Sequence, residues 1–327
     1  NVDMASYKAE FLSHYYEGRM RPLTAYAFGL IFRWARLASL APGIANFVTH
    51  AAPLEIILKA LAGISAERKI HPFASSTFRE RFRPQEVPQG AEVILWPDTF
   101  NNYFTPHVAL AAVEALEAAG FRVKIPQKIL CCGRPLYDYG MLDLARRKLR
   151  EILEALRPQV MAGVPLVFLE PSCHSVFLDE LQNLFPHDEA AARLRRQSFL
   201  LGDFLMQHGY HPPALARKAL VHGHCHQKAL VGMAGELEML RQLGVSFEHL
   251  DSGCCGMAGG FGYEKEHYDV SVRAGERVLL PAVRSAASET LIVASGFSCR
   301  EQIEQLTGRR ALHLAEVIQM ALGRSSW

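Results

Sequence analysis

The sequence has little cysteine and almost no excess charge. Cysteine accounts for 7 of 327 residues, too few and too unevenly placed for a secreted scaffold held together by disulfides. The 35 Lys and Arg against 33 Asp and Glu leave a net charge of only +2, which argues against a dedicated nucleic-acid binder. Since 50% of the residues are hydrophobic and 21% are charged, a disordered chain is excluded as well. The length favours two average domains or one large one.

A targeting signal and a long apolar run are also missing. The chain begins without a basic segment followed by an apolar one. The best candidate for a membrane span, Leu37 to Leu54, has no Asp, Glu, Lys or Arg but contains helix-interrupting and polar residues, namely Pro42, Gly43, Asn46, His50 and Pro53. A spanning helix needs roughly 20 mainly apolar residues. We therefore expect packed helices that cover another domain, with a patch on a membrane surface as the alternative. We expect a cytoplasmic protein, or one at the inner face of the membrane.

The first quarter of the chain is helical in pattern. Apolar residues recur at helical spacing over Tyr7 to Tyr16, Leu23 to Leu40 and Leu54 to Leu61. Residues 72–90 are polar and rich in proline, which is typical of a linker. We therefore predict a helical segment over residues 1–71 and a linker over 72–90.

Strands and helices then alternate twice. The first series predicts three strands and two helices, at Glu92–Trp96, Pro106–Ala119, Phe121–Ile125, Met141–Leu156 (ended by Pro158) and Val164–Leu169. The second series follows the same order, at Ala219–Val221, Gln227–Leu243, Val245–Leu250, Glu264–Ala287 and Leu291–Ala294. Such alternation favours parallel sheets covered by helices.

Cysteine spacing indicates that the second series duplicates the first. A Cys-Cys-Gly sequence follows the second predicted strand of each series, and a single cysteine follows the third. The spacing is 41 residues from Cys132 to Cys173 and 44 from Cys255 to Cys299. The sequence therefore predicts an α/β fold of two similar tandem lobes with mainly parallel sheets, over residues 91–210 and 211–327.

The second lobe places four thiols at the ends of three consecutive strands. They are Cys225, Cys254, Cys255 and Cys299. Because open α/β sheets bind their ligands at this edge, we expect a four-thiolate site for zinc or an iron–sulfur cluster.

The first lobe offers only Cys131, Cys132 and Cys173, with Thr99 near the position equivalent to Cys225. Two interpretations stay open. Either the three thiols hold metal with an outside ligand or an Asp98 oxygen, or they are structural.

Three histidines surround Cys225, at positions 222, 224 and 226. His222, His224 and His226 are candidate metal ligands, modulators of thiolate pKa or proton carriers. The loop from Gly256 to Gly262 allows close backbone approach to a bound group, but it lacks the order of a dinucleotide fingerprint. Lys228, Lys265 and Arg300 are candidate counter-charges for an anionic cluster, although solvated surface is the ordinary role of such residues.

The two Cys-Cys-Gly segments resemble the cysteine-rich CCG domain. Tandem copies occur in one of the subunits of heterodisulfide reductase and in the iron–sulfur subunits of glycolate oxidase and anaerobic glycerol-3-phosphate dehydrogenase. The opening residues 1–12 look like the segment after the last Cys-Pro of a ferredoxin-like domain in fused FAD-linked oxidases of the D-lactate and D-2-hydroxyglutarate dehydrogenase type. The stretches 222–229 and 253–264 resemble that group too. The sequence departs from the family's full motif, which has a cysteine before each CCG and a CxxC after it. Thr99 replaces the first leading cysteine, and Val176 and Gly296 stand where further partners are expected.

The resemblance implies the C-terminal part of an FAD-dependent iron–sulfur oxidoreductase. Flavin and ferredoxin-like domains would lie upstream, and this chain would pass electrons through centres of the 4Fe-4S type to a quinone or another acceptor. We expect the chain alone to be inactive toward 2-hydroxy acids. The alternatives are a structural zinc module and thiol chemistry of the heterodisulfide reductase kind. The latter needs a free thiol of low pKa.

Overall fold

The computed structural model describes residues 4–83 and 90–324. In this part of the chain, six helices precede the first strand: α1 (Met4–Tyr15), α2 (Leu23–Gly29), α3 (Ile31–Ala38), α4 (Pro42–His50), α5 (Leu54–Ala62) and α6 (Phe78–Arg81). The three predicted helical stretches are confirmed, with a break at Leu30. Pro42 opens α4, where its missing N–H is not needed. Part of the predicted linker, residues 84–89, lies outside the described residues.

No single helix in the described ranges is long and apolar enough to cross a membrane. Among the helices of residues 4–83 and 90–324, the pair α4 and α5 reaches that length and composition when taken together, and the two helices meet at a bend of 83°.

The first lobe is built on a parallel sheet of four strands. They are β1 (Glu92–Leu95), β2 (Arg122–Lys124), β3 (Leu166–Phe168) and β4 (Ser198–Leu200), in the order β2-β1-β3-β4. Val93 pairs with Val123 and Ile94 with Leu166. Around the sheet lie α7 (Thr99–Tyr103), α8 (Pro106–Ala118), α9 (Arg134–Asp138), α10 (Leu142–Met161), α11 (Pro171–Leu178), α12 (Glu180–Leu184), α13 (Glu189–Gln197) and α14 (Leu201–Gln207).

The second lobe repeats this sheet. Its strands are β5 (Lys218–Val221), β6 (Ser246–His249), β7 (Leu291–Val293) and β8 (Ala311–Leu312), again all parallel, in the order β6-β5-β7-β8. Its helices are α15 (Cys225–Leu230), α16 (Ala234–Gln242), α17 (Tyr268–Glu276), α18 (Leu279–Ser285), α19 (Phe297–Thr307) and α20 (Leu314–Ala321), with a short 3₁₀ turn at Phe261–Tyr263. The predicted α/β fold of two similar lobes is confirmed.

Three helix predictions were wrong in their extent. Helix α10 continues through Pro158 to Met161, because burial of its apolar face out to Val160 offsets the lost hydrogen bond and the steric clash that an interior proline causes. The predicted helix Gln227–Leu243 is broken between α15 and α16 at Gly232, which adopts a left-handed φ of 75°. The predicted helix Glu264–Ala287 is two helices, because Pro281 has no N–H to donate and fits only in the first turn of α18.

Equivalent helices join the two lobes. Helix α8 packs against α20, and α14 packs against α16. In each pair one helix follows the first strand of its lobe and the other follows the fourth strand of the opposite lobe, so the lobes are related by an approximate two-fold axis. A shared core that includes Val108 and Leu116 of the first lobe and Met239 and Val317 of the second fills the space between them. Gly202 and Gly235 permit the α14–α16 approach, since a Cβ on either would meet the opposite backbone.

Candidate metal centre

Three strand-end loops bring four thiols together in the second lobe. Cys225 is the first residue of α15 after β5, and Cys299 lies in the first turn of α19 after β7. Cys254 and Cys255 lie in the loop after β6. Parallel strands end at one edge of their sheet, and here the thiols form a continuous series in which Cys225 contacts Cys254, Cys254 contacts Cys255, and Cys255 contacts Cys299.

The glycine of the CCG sequence shapes this loop. Gly256 has a φ of 100°, and a Cβ at this position would collide with the carbonyl oxygen of Ser271. Only glycine adopts such a backbone without strain. The turn directs the Gly256 N–H to the Sγ of Cys254 at 3.4 Å. The backbone therefore donates directly to one of the four sulfur atoms.

Burial differs along the series of thiols. Cys255 and Cys299 are buried, whereas Cys225 and Cys254 are partly exposed. Thiol donors on both sides lower the pKa of Cys254, and the Cys255 thiol lowers that of Cys299 against the effect of burial. The same contacts, together with burial, raise the pKa of Cys225 and Cys255. The four thiols therefore titrate as a linked set, and a metal that binds here would have to displace their protons.

The histidines add nitrogen donors to the same place. Nδ1 of His222 lies 2.7 Å from the Ser252 hydroxyl. Its buried Nε2 has no partner in hydrogen-bonding geometry among the described residues, although the ring lies against the Cys299 thiol and helps to lower its pKa. The ligand atoms of His222, Cys255 and Cys299 lie within 4.8 Å of one another. Because a buried polar atom without a partner is unfavourable, this nitrogen is suited to an additional ligand.

The other two histidines flank Cys225. Nδ1 of His224 accepts the N–H of His226 at 3.2 Å and so caps α15. Ligand atoms of His224, Cys225 and His226 also lie within 4.8 Å of one another. Burial lowers the pKa of His226 to about 3, which keeps its ring neutral, the form that binds metals. The donor chemistry thus fits a thiolate-ligated iron–sulfur cluster and also zinc.

The first lobe brings its three cysteines together at the equivalent edge. Sγ of Cys132 lies 3.0 Å from Sγ of Cys173, and Cys131 contacts Cys132. Thr99 opens α7 as Cys225 opens α15, and its hydroxyl donates to Cys131 at 3.9 Å. The Cys132 contact lowers the pKa of Cys173, but burial and two neighbouring carboxylates raise it to about 12.

Those carboxylates belong to Asp98 and Glu170. Asp98 accepts the N–H groups of Phe100 and Asn101 at 2.9 and 3.0 Å and caps α7. Burial, followed by the charge of Glu170, raises the pKa of Asp98 to about 6. The first lobe therefore has carboxylates beside Cys173, where the second lobe has histidines beside Cys254 and Cys299.

Sequence reasoning missed the role of Glu170 as a connection between the lobes. Its Oε1 accepts the N–H of Ser172 at 3.2 Å, and its Oε2 accepts the N–H of Phe297 in the second lobe at 2.7 Å. Its Oε1 also lies 4.0 Å from Nε2 of His224. A carboxylate directly before a proline-initiated helix signals a cap, but nothing local in the sequence indicates a partner 127 residues away.

Two of the basic residues that were candidate counter-charges form hydrogen bonds to loop carbonyl oxygens instead of to the thiols. Lys228 donates to the carbonyl oxygens of Ser252 and Gly253, and Arg300 donates to that of Ser295 at 2.8 Å. The side chain of Lys265 is exposed.

A family model for the cysteine-rich CCG domain matches residues 99–177 and 221–304. These ranges contain the seven cysteines, three in the first and four in the second. The chain carries two CCG domains.

Curated relatives of this CCG chain are dehydrogenases, dehydrogenase subunits or a lactate utilization protein by name. One of the subunits of anaerobic glycerol-3-phosphate dehydrogenase from Escherichia coli is 29% identical over 85% of this chain and 72% of its own length. D-2-hydroxyglutarate dehydrogenase of Pseudomonas putida is 25% identical over 97% of this chain but only 32% of its own length. Lactate utilization protein A of Bacillus subtilis is 28% identical over 69% of this chain and 98% of its own length. The match thus spans about a third of the D-2-hydroxyglutarate dehydrogenases.

Proposed function

We propose that this CCG protein is the electron-transfer component of an FAD-linked 2-hydroxy-acid dehydrogenase. The meeting of Cys225, Cys254, Cys255 and Cys299 at the end of one sheet carries the proposal. Four thiolates are the usual ligand set of a 4Fe-4S cluster. When bound, such a cluster accepts and releases single electrons. The residues of this chain hold it, shield it on the Cys255 and Cys299 side, and leave the Cys225 and Cys254 side accessible.

The second lobe is the better host for an anionic cluster. Its thiols lie beside His222, His224 and His226, whereas Cys173 of the first lobe lies near the carboxylates of Asp98 and Glu170. Glu170 also faces the second lobe, but there it lies beside the His224 ring. Nearby carboxylates oppose further negative charge. We therefore propose one cluster per chain, in the second lobe, and assign the first-lobe cysteines a structural role.

A structural zinc site is the second candidate. The mixed donor set of His222, Cys255 and Cys299 favours it, because zinc readily combines imidazole with thiolate ligands. Zinc has no redox chemistry. A structural zinc site would therefore not explain why similar proteins are dehydrogenases or their subunits.

The partners in this proposal are flavin and ferredoxin-like domains, on the same polypeptide or on separate ones. Removal of hydride from a substrate carbon needs an organic electron sink such as flavin. The flavin would release electrons through the ferredoxin-like centres to this chain, and from here to a quinone or another acceptor. We propose the exposed apolar faces of α3, α4 and α5 as the docking surface for those domains. The site of action would be cytoplasmic, at the inner membrane face where the acceptor is a quinone.

The first experiment is iron, zinc and acid-labile sulfide analysis after anaerobic purification, together with a visible absorption spectrum. We expect about four iron and four sulfide per chain, as a 4Fe-4S cluster requires, and an absorption band that dithionite bleaches. Stoichiometric zinc without iron would support the structural candidate instead. Free titration of all seven thiols would exclude both.

The second experiment measures dye reduction by the purified chain with D-lactate and D-2-hydroxyglutarate. We expect no activity at any metal content, and activity once flavin and ferredoxin-like domains are supplied. Substrate-dependent dye reduction by the chain alone would show that the chemistry was assigned to the wrong partner.

A further inference from the structure

Arg68 is a buried cation in the segment between α5 and α6. Its side chain is 0% exposed, and it lies outside both ranges that match the CCG model. The backbone on its N-terminal side pairs with the loop that follows Cys255. Ser65 N–H donates to the Tyr263 carbonyl at 2.8 Å, and Lys265 N–H donates to the Gly63 carbonyl at 3.0 Å. The helical segment is thereby attached to the loop beside the candidate centre.

The guanidinium of Arg68 has neutral partners. Within the described residues it donates to the Gly262 carbonyl at 2.7 Å, to Oε1 of Gln302 at 2.7 Å and to the Ser271 hydroxyl at 2.8 Å. The ring of Tyr268 lies over it at 4.9 Å. Glu301, beside Gln302, instead lies 2.7 Å from Nδ1 of His71. The charge of Glu301 nevertheless acts on Arg68, as would that of a Cys255 thiolate. Because Glu301 is shared with His71 and a buried charge is unfavourable without full compensation, an additional anion nearby is favoured.

Gln302 connects Arg68 to the cysteine loop. Its Nε2 donates to the carbonyl oxygen of Cys255 at 2.9 Å and to that of Ser271 at 3.1 Å. One side chain therefore separates the guanidinium from the backbone of a candidate ligand. Gln302 also lies one helical turn after Cys299 on α19. The charge of Arg68 thus lies in the protein interior, one side chain away from the loop of Cys255. Cys255 and Cys299 are the two buried thiols of the second lobe.

We propose that the buried positive charge of Arg68 raises the reduction potential of the cluster held by the second lobe. This inference rests on the proposed function. Reduction adds one electron to the cluster and breaks no bond, so the reduced state is more negative by one charge. A buried positive charge stabilises the reduced state more than the oxidised one, because electrostatic interactions are strong where water is excluded. The guanidinium stays protonated throughout.

The test is a potentiometric titration of the anaerobically purified chain with dithionite, followed by visible absorption and electron paramagnetic resonance. Three variants are compared with the wild type. Arg68→Met removes the charge, and Arg68→Lys keeps the charge but loses the planar fork. Ser271→Ala removes the hydroxyl that accepts from Arg68 at 2.8 Å and from Gln302 at 3.4 Å, without changing charge. We expect a lower potential in Arg68→Met at unchanged iron and sulfide content. Arg68→Lys and Ser271→Ala should stay close to the wild type.

Two results would overturn the role of Arg68. One is an unchanged potential in Arg68→Met, and the other is an equal fall in Arg68→Met and Arg68→Lys, which would indicate packing instead of charge. If Arg68→Met does not fold, Arg68→Gln removes the charge but keeps a side chain that can form hydrogen bonds, and it should also lower the potential. An unchanged potential in that variant would equally refute the role. A wild type without iron would refute the proposed function and this inference with it, whereas iron-loaded variants of unchanged potential refute only the inference.

Discussion

At the scale of single side chains, the two lobes differ in what surrounds their thiols. Asp98 and His224 occupy the same place, each capping the first helix after the first strand of its lobe. The next residue is Thr99 in one lobe and Cys225 in the other. A carboxylate beside a hydroxyl replaces an imidazole beside a thiol. The duplicated backbone is therefore retained, while the chemistry suited to metal is concentrated in one copy.

Equivalent cysteine substitutions in the two lobes should have different effects on the iron content. We expect Cys255→Ser to abolish retention of iron, and Cys132→Ser, at the equivalent position, to leave it near the wild-type content. Loss of metal should also lower the midpoint of urea unfolding, since metal binding is worth on the order of 10 kcal/mol in small structural sites. Iron analysis and urea titration under nitrogen measure both effects. Equal iron loss in the two variants would contradict the assignment to one lobe.

At the scale of elements, the first turns of helices hold candidate metal ligands and also form contacts between the lobes. His313 is buried and caps α20, with Nδ1 accepting the Ala315 N–H at 2.9 Å. Since that nitrogen accepts, the proton of the neutral ring lies on Nε2, which donates across the lobe interface to the Leu169 carbonyl at 3.0 Å. Only the neutral ring makes both bonds. Burial, then the charge of Arg300, lowers the pKa of His313 to about 3.

This histidine should make the protein sensitive to acid. The pKa of an unfolded histidine is about 6.5, so between about pH 6.5 and 3 the unfolded chain binds more protons than the folded one. The contribution of His313 to stability is therefore complete above about pH 6.5 and is lost as the pH falls below it. We expect His313→Asn, which keeps the cap but does not titrate, to lose less stability between about pH 7.5 and 5 than the wild type.

Urea unfolding of both metal-free proteins at the two pH values provides the measurement. His107 and His174, whose pKa values burial lowers to about 4, contribute in the same direction in both proteins. The variant should be the less stable protein at the higher pH, because the bond to Leu169 is gone. Equal losses of stability on acidification would show that His313 is not a source of the pH dependence.

At the scale of the whole molecule, exposed apolar side chains are concentrated at one end of the chain. Of 21 large hydrophobic residues that are exposed among those described, 16 lie before residue 62. Leu40 is 80% exposed, Ile44 69% and Phe47 64%. Between Gly18 and Leu54 the chain has four arginines and no acidic residue. Exposed apolar residues concentrated in this way favour the proposed docking surface.

Acidic substitutions should remove this docking surface without changing the centre. We expect Ile44→Glu combined with Phe47→Glu to abolish co-purification with the flavin and ferredoxin-like domains and to retain the wild-type iron content. Val270→Glu is the matched control, because Val270 is 46% exposed on α17 in the second lobe. Retention of the partner by the double variant would refute the assignment. Binding to phosphatidylglycerol vesicles in place of the partner would identify the surface as a membrane contact instead.

Local signals in the amino-acid sequence were enough to predict most of the strands and the duplication of the lobes. Strand and helix periodicity located β1, β2, β3, β5, β6 and β7, and the repeated cysteine spacing indicated two similar lobes. The positions of Cys225, Cys254, Cys255 and Cys299 at strand ends followed from the same pattern, because parallel strands all end at one edge. Nothing beyond local pattern and a general rule of sheets was needed.

Features that depend on partners far away in the chain became visible only in the folded structure. The strand β4 lies directly between α13 and α14 without a turn on either side, and β8 has only two residues. Neither has a separate signal in the sequence, and they form because a neighbouring strand offers its free edge. Glu170 reaches the N–H of Phe297, 127 residues away, and Arg68 reaches Gln302, 234 residues away. In the sequence, an arginine that becomes buried cannot be distinguished from one that stays on the surface. Its burial is a property of the packing around it, and that packing is assembled from segments which the chain order keeps apart.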